Sequence, residues 1–380
     1  MKHYMNEYTD ALDELQLSCE QQDRLFRAAV HQAEQHTKHR PKQRTAIAGI
    51  LLASVLALTA CGVVIKTISE LYAPYFGGSD SQSAIIEEYG TALDASDTDN
   101  GVTVSAKAVL GDAYHAWILY TISWEDDVNF NLPGELPQTP AEYSTEKQDF
   151  FLCLGETNES ITPSPYSKEV QFIDPDPTDN EIELMECYTF ESAVPFSSVS
   201  KTFDTLYWYD SNSSYAEQAT WLSLQDVDPS VLHTAAEGHW ELNFEANYEN
   251  CAVSVPLEDN ATFTYKGRTC NITKLELSPL SVFVEYTYTR TQDDPPIAED
   301  ASGTYDSVWE DFGRLSHSLS ITTTSDRTYH TNGFTPEGDQ YIKSTNSYRF
   351  IVGGTFTELI PPDEMKSITI GDTTFDIPRE

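Results

Sequence analysis

Residues 102–124 read VTVSAKAVLGDAYHAWILYTISW. Val102, Val104, Ala106 and Ala108 alternate with Thr103, Ser105 and Lys107, the period of a half-buried strand, which ends at Gly111-Asp112. Ala116 to Trp124 then runs apolar and aromatic without a break, a pattern suited to a central sandwich strand. Toward the C-terminus the same signals recur at Tyr207-Trp208-Tyr209, Trp221-Leu222-Ser223-Leu224 and Trp240-Glu241-Leu242-Asn243-Phe244. Near Cys251 a second module begins. Thr262 to Tyr265, a Lys266-Gly267 turn and Ile272 to Leu277 form a hairpin, and Val282, Val284, Tyr286 and Tyr288 alternate on the next strand. Ile368 to Ile370, Gly371-Asp372 and Phe375 to Ile377 close the chain as another hairpin. Strands at intervals of about 8 to 12 residues without helical crossovers predict a mainly β fold. Two antiparallel β-sandwich domains are expected, at 84–250 and 251–380.

Upstream, LYAPYFGGSDSQS (residues 71–83) holds a Pro, two adjacent Gly and several Ser, so 66–83 reads as a stalk or linker. Before it, TAIAGILLASVLALTACGVVI (residues 45–65) carries no charge. As a helix it would span about 31 Å, close to the hydrocarbon core of a bilayer. Lys38, Arg40, Lys42 and Arg44 precede it, whereas no further cation follows Lys66 until Lys107. That asymmetry places the N-terminus in the cytoplasm and the C-terminal domains outside the cell membrane. A cleaved signal peptide fits poorly, because 44 residues precede a run longer than the usual apolar region. Leu58-Thr59-Ala60-Cys61 matches a lipobox, although Gly62-Val63-Val64-Ile65 lacks the polar tether expected after an acylated Cys61.

The 380-residue chain has 22 Lys+Arg against 61 Asp+Glu, a formal net charge of −39. This balance opposes nucleic-acid binding, which needs clustered cations. Residues 1–44 are neutral, with seven basic and seven acidic side chains, whereas fourteen basic and fifty-four acidic residues follow Lys66. The excess therefore belongs to the outer domains, where it favours cationic partners. An unknown envelope ligand is expected there.

Within 1–44, Tyr4, Tyr8, Leu12 and Leu15 share one helical face. Ser18 and Gln21 suit a capping box for a second helix with the stripe Leu25, Phe26, Ala29, Val30 and Ala33. So short a hairpin needs a partner, the membrane surface or a second copy to cover its stripes, unless it is only a juxtamembrane stalk. Tyr8, Leu12, Leu15, Leu25, Phe26, Ala29 and Val30 are the candidate partner-binding residues. His31, His36, His39 and Cys19 lack zinc-ligand spacing.

Cys153, Cys187, Cys251 and Cys270 fall in the outer domains, and the within-domain pairs Cys153–Cys187 and Cys251–Cys270 are favoured over four reduced thiols. No nucleophile elbow, zincin, phosphate-loop or dinucleotide motif occurs, so neither an enzyme nor a cofactor is expected. Asp174 to Glu181 departs from a calcium loop: the sixth-position Gly is missing and Met185 stands at the twelfth. A solvated acidic loop is the expectation, and no metal.

Tyr8-x-x-Ala11-Leu12-Asp13-Glu14-Leu15, a basic flank, one span, Asn100 to Val104, Leu110 to Ala113 and Tyr120-Thr121-Ile122 resemble an uncharacterised bacterial family. Its members are single-pass ectodomain proteins, often encoded beside extracytoplasmic-function sigma factors. Gly238 to Phe244, Ile272 to Pro279 and Val284 to Tyr286 are similar to the immunoglobulin-like module that commonly follows. The resemblance implies an anti-sigma-like membrane regulator whose cytoplasmic end holds a sigma factor and whose ectodomain senses. The zinc-binding pattern His-x-x-x-Cys-x-x-Cys of one anti-sigma class is missing. An envelope binding or scaffold protein with a passive anchor is the alternative.

Overall fold

The computed structural model describes residues 66–377, apart from 146–147, 164, 166, 191–192, 194–196, 212–228, 247, 249, 259, 295–297, 301–302, 306–311, 313–314, 316–318, 335–339, 343 and 357. The expected cytoplasmic hairpin, the 45–65 run and the strand at Trp221 to Leu224 lie outside the described residues. Among the described residues no helix is long and apolar enough to cross a membrane. Ile68–Glu380 forms one unit, mainly β and built as two lobes.

In place of a stalk the unit opens with two helices, α1 (Ile68–Phe76) and α2 (Asp80–Tyr89). Ile68, Leu71, Tyr72, Tyr75 and Phe76 follow the 3-then-1 spacing that gathers apolar residues on one helical face. Pro74 has no N–H to offer the preceding turn, and α1 stops two residues later. Ser79 and Gln82 then form a complete capping box for α2. Glu87 of α2 accepts from both the backbone N–H (3.0 Å) and the hydroxyl (2.7 Å) of Ser69, tying up a donor at the start of α1.

The first lobe holds β1 (Gly90–Asp99), β2 (Val102–Gly111), β3 (His115–Trp124), α3 (Pro140–Thr145), β4 (Phe150–Thr162), β5 (Ser167–Ile173), β6 (Glu181–Thr189), β7 (Ser198–Asp210) and β8 (His233–Glu245). Its strands form two antiparallel sheets, in the orders β1-β2-β3-β6-β5 and β4-β7-β8. An Asn100-Gly101 turn with both residues at positive φ (50° and 73°) joins β1 to β2, the geometry a two-residue hairpin requires. Ile118, Tyr120 and Ile122 of β3 face a core shared with Leu152 of β4, Phe203 of β7 and Trp240 of β8. Trp240 is fully buried and donates its indole N–H across that core to the carbonyl of Val102 at 3.0 Å.

Strand β3 is apolar throughout because its other face is also covered. Trp117 and Leu119 pack with Tyr72, Phe76, Ile85 and Ile86 of the helix pair. The expected alternation of β2 is broken by a bulge between Ala106 and Ala108. Val102, Val104 and Ala106 face the inner core, whereas Ala108 and Leu110 face the helices. One extra residue reverses the pleat.

The second lobe comprises β9 (Val253–Ser254), β10 (Thr262–Tyr265), β11 (Arg268–Leu277), β12 (Ser281–Thr289), β13 (Ala298–Asp300), β14 (Gly303–Tyr305), β15 (Ser320–Thr323), β16 (Thr328–Phe334), β17 (Gln340–Ile342), β18 (Ser347–Phe356), β19 (Met365–Ile370) and β20 (Thr373–Asp376). Its main sheet runs β10-β11-β12-β18-β16-β15-β19-β20, with β9 on β11 and β17 on β18. The two ends of this path meet at the Gly371-Asp372 turn. There Thr264 donates its N–H to Asp372 Oδ1 at 3.0 Å and accepts from the Asp372 N–H at 3.2 Å. Gly371 has φ 60°, and a Cβ on it would lie 2.6 Å from the Thr264 carbonyl oxygen. Val282, Val284 and Tyr286 of β12, with Phe263, Phe350 and Ile368, make this lobe's own core.

Tyr72 is fully buried, and its hydroxyl reaches the carbonyls of Ala108 (3.0 Å) and Trp117 (2.7 Å). Tyr72→Phe removes the hydroxyl from this site and is expected to cost about 1–3 kcal/mol, read as a lower urea midpoint with unchanged far-ultraviolet circular dichroism.

Candidate functional site: the hairpin between the lobes

The turn Gly111-Asp112-Ala113-Tyr114-His115 joins β2 to β3 and reaches the second lobe with almost every residue. Asp112 is 1% exposed. Its Oδ1 accepts the backbone N–H groups of Tyr114 and His115, each at 2.9 Å, which closes the turn locally. Its Oδ2 accepts the hydroxyls of Ser278 and Ser281, each at 2.5 Å, from the second lobe. Burial by itself would raise the Asp112 pKa. Contact with His115, with the two serine hydroxyls, outweighs burial and holds the group below the ordinary carboxylate value.

The neighbours complete the contact. Ala113 and Tyr114 pack with Phe283 and Ile351, the Tyr114 ring stacking on Phe283 at 3.8 Å between centroids. The Tyr114 hydroxyl donates to Glu276 and accepts from Lys274 Nζ. His115, 1% exposed, stacks on Trp117, and its Nδ1 lies 3.4 Å from Asp112 Oδ1. Gly111 admits the ring of Tyr248, whose hydroxyl donates to the Asp112 carbonyl at 2.9 Å.

A second polar centre lies inside the first lobe. Lys201 of β7, 1% exposed, places Nζ 2.5 Å from Glu186 Oε1, 3.0 Å from Glu156 Oε1 and 2.9 Å from Glu159 Oε1. Lys168 of β5 approaches Glu156 at 2.7 Å and Glu159 at 3.1 Å. Tyr188 donates to Glu186 at 2.5 Å. Oxygens of Glu156, Glu159 and Glu186 all lie within 4.8 Å of one another, the one metal-like grouping among the described residues. Lysine ammonium groups already stand among them. Burial opposes charge on Lys201, but Glu186 overcomes it and holds the ammonium well above its ordinary pKa. Burial likewise opposes charge on Glu156, and Lys201 and Lys168 bring it down to about 2.

The expected partner-binding residues Tyr8, Leu12, Leu15, Leu25, Phe26, Ala29 and Val30 lie outside the described residues. The four outer cysteines are free thiols, which corrects the expected pairing. Cys153 alternates with the inward Leu152 and Leu154 and so faces away from the shared core on one sheet. Cys187 faces the helix pair on the far side of the other sheet. Face-to-face sheets stand about 10 Å apart, beyond disulfide reach. Cys251 packs in the helix-pair cluster, whereas Cys270 lies in the core of the second lobe. Burial raises all four thiol pKa values, those of Cys153 and Cys270 to about 12. In the acidic loop, Asp176 accepts from the Thr178 N–H and hydroxyl, and Asp179 accepts from the Glu181 N–H. These carboxylates close their own turns. The signal for the interlobe hairpin was present as Gly111-Asp112, but nothing in the sequence named its partners Ser278 and Ser281.

Fold and site together define a mainly β, two-lobed protein whose lobes are joined through a buried carboxylate. Residues 35–123 match the model of an uncharacterised family described as a domain of unknown function, DUF4179. That match runs from the basic flank through the apolar run and helix pair into β3. The chain is also similar to the crystal structure of the conserved domain protein from Bacillus anthracis, at 12% identity and a TM-score of 0.41, covering 73% of this chain and 75% of that one. No curated protein matches.

Two predictions come from these centres. Asp112 and Glu156 have folded pKa values below their unfolded ones, so their contribution is complete above about pH 5 and is lost as pH falls through the folded values, which for Glu156 is about 2. Urea midpoints should decline over that window, and Asp112→Asn or Glu156→Gln should flatten the decline. Lys201→Met leaves Glu186 buried without its closest cation and is expected to cost about 3–5 kcal/mol. Lys201→Met combined with Glu186→Gln should recover part of that loss in the same measurement.

Proposed function

We propose that this chain is a single-pass membrane regulator of the anti-sigma type. In this reading residues 45–65 span the bilayer and the 1–44 helices hold an extracytoplasmic-function sigma factor or other partner. The acidic module beyond Lys66 lies outside the cell, with two immunoglobulin-like sandwiches, and senses an envelope signal without enzymatic activity.

The observation that carries this reading is the placement of α1. It starts at Ile68, three residues after the apolar run ends, and it is fixed by Tyr72, by Phe76 edge-on to Trp117 at 5.5 Å, and by Glu87. A passive anchor needs only a flexible tether. A helix docked on the module at this point favours a connection that transmits displacement. The family match supports the same grouping, because it covers the apolar run and the docked helices as one piece.

The test uses the full-length chain with an extracytoplasmic-function sigma factor from the same genome, taken from beside its gene where one is encoded there. Co-purification from detergent extracts is expected for the natural sequence and is expected to be lost with Leu25→Asp and Phe26→Asp. A six-residue Gly/Ser insertion after Thr67 should leave that binding intact but abolish the response of the sigma factor's own promoter. If no binding appears, or if deletion of residues 1–37 leaves transcription unchanged, the protein is an envelope scaffold with a passive anchor.

A further inference from the structure

The turn Ser278-Pro279-Leu280-Ser281, between β11 and β12, faces two structures at once. Toward the β2–β3 hairpin it presents the hydroxyls of Ser278 and Ser281, both on Asp112 Oδ2. Toward the helix pair it presents Leu280, 1% exposed, in one cluster with Tyr72, Phe76, Ile85 and Ile86. The turn is internally stiff. Ser278 Oγ accepts the N–H of Leu280 at 3.1 Å and of Ser281 at 2.9 Å, and the Ser278 N–H donates to the Ser281 carbonyl at 2.9 Å. The chain after β18 is bonded to it as well: Phe356 N–H donates to the Leu280 carbonyl, and Ile360 N–H to the Pro279 carbonyl. Leu359, from that same segment, enters the helix-pair cluster beside Leu280.

We propose that the Ser278–Ser281 turn is a conformational relay, through which the contact between the lobes and the docking of α1 and α2 form and loosen together. A movement of the second lobe that draws the two serines from Asp112 also withdraws Leu280 from the helices, because the turn cannot deform between its polar and apolar contacts. The hydroxyl and apolar contacts break as a unit, since a partly opened arrangement would leave Asp112 buried and charged with half its donors gone. This relay operates within the Ile68–Glu380 unit and holds whether or not the preceding residues cross a bilayer. It goes beyond the membrane-regulator reading by naming the element that links the far lobe to the helices nearest the apolar run.

Hydrogen–deuterium exchange on the full-length chain in detergent tests the relay in both directions. Ser278→Ala with Ser281→Ala should speed exchange of the Tyr114 and His115 amides and, with them, the amides of residues 68–89, by about threefold or more. The β4–β7 ladder should keep its natural rates. Coupling between sites is reciprocal, so Tyr72→Phe, remote from Asp112, should speed exchange at Leu280 and Ser281 by a similar factor. Should the double serine variant fail to fold, Leu280→Val reads the same link from the apolar side. Unchanged rates in 68–89 while Tyr114 and His115 accelerate would overturn the relay. So would equal acceleration of the β4–β7 ladder, or Tyr72→Phe leaving Leu280 and Ser281 unaffected.

Discussion

Asp112 carries a full negative charge at 1% exposure, and a charge so placed is tolerated only when its oxygens are saturated with donors. Two donors come from the turn that holds Asp112, and two come from the other lobe. The same carboxylate thereby ties the two lobes together. Around that point the chain supplies what close approach needs: Gly111 beneath Tyr248 and a flat Tyr114 on Phe283. The helix pair and the second lobe then share a single apolar cluster on the outer face of the first sheet, and its position follows from the same contact.

The acidity of the chain takes on a different meaning against this architecture. Many carboxylates do structural work close to where they stand. Asp97 and Asp99 of β1 accept the backbone N–H groups of Glu241 and His239, so the edge of β8 is covered by side chains from the neighbouring sheet. Glu87 holds the start of α1, and Asp176 and Asp179 close an acidic loop. Cations are scarce, with fourteen after Lys66, yet two of them gather at Glu156, Glu159 and Glu186 inside the first lobe. That placement is electrostatically favoured, because Glu186 is buried and Glu156 and Glu159 converge on it from the partly exposed rim, so positive charge is needed beside them.

Much of the β structure could be read directly. The Lys266-Gly267 turn has both residues at positive φ, and β10 and β11 pair across it as their pattern requires. The alternation of Val282 to Tyr288 and the unbroken run of β3 correspond to strands with the expected burial. The helix pair was legible too, in the spacing of Ile68, Leu71, Tyr72, Tyr75 and Phe76 and in Ser79 with Gln82, but Pro74 and Gly77-Gly78 carried the stronger local signal for a linker. Sequence could not reveal the bulge after Ala106, because a single unpaired residue leaves composition and period nearly unchanged.

By itself the sequence determined the class of structure, since period-2 burial, turn residues and caps act over a few positions and need no distant partner. It also concentrated the negative charge beyond Lys66. Only the tertiary structure decided which polar groups meet. Asp112 lies 166 and 169 positions from Ser278 and Ser281, and Lys201 lies 45 from Glu156. It also set the cysteines on separate faces, where neighbours in one lobe cannot pair. Such contacts arise from how sheets stack and strands cross, and that geometry is fixed by the packing of whole faces against one another rather than by any local run of residues.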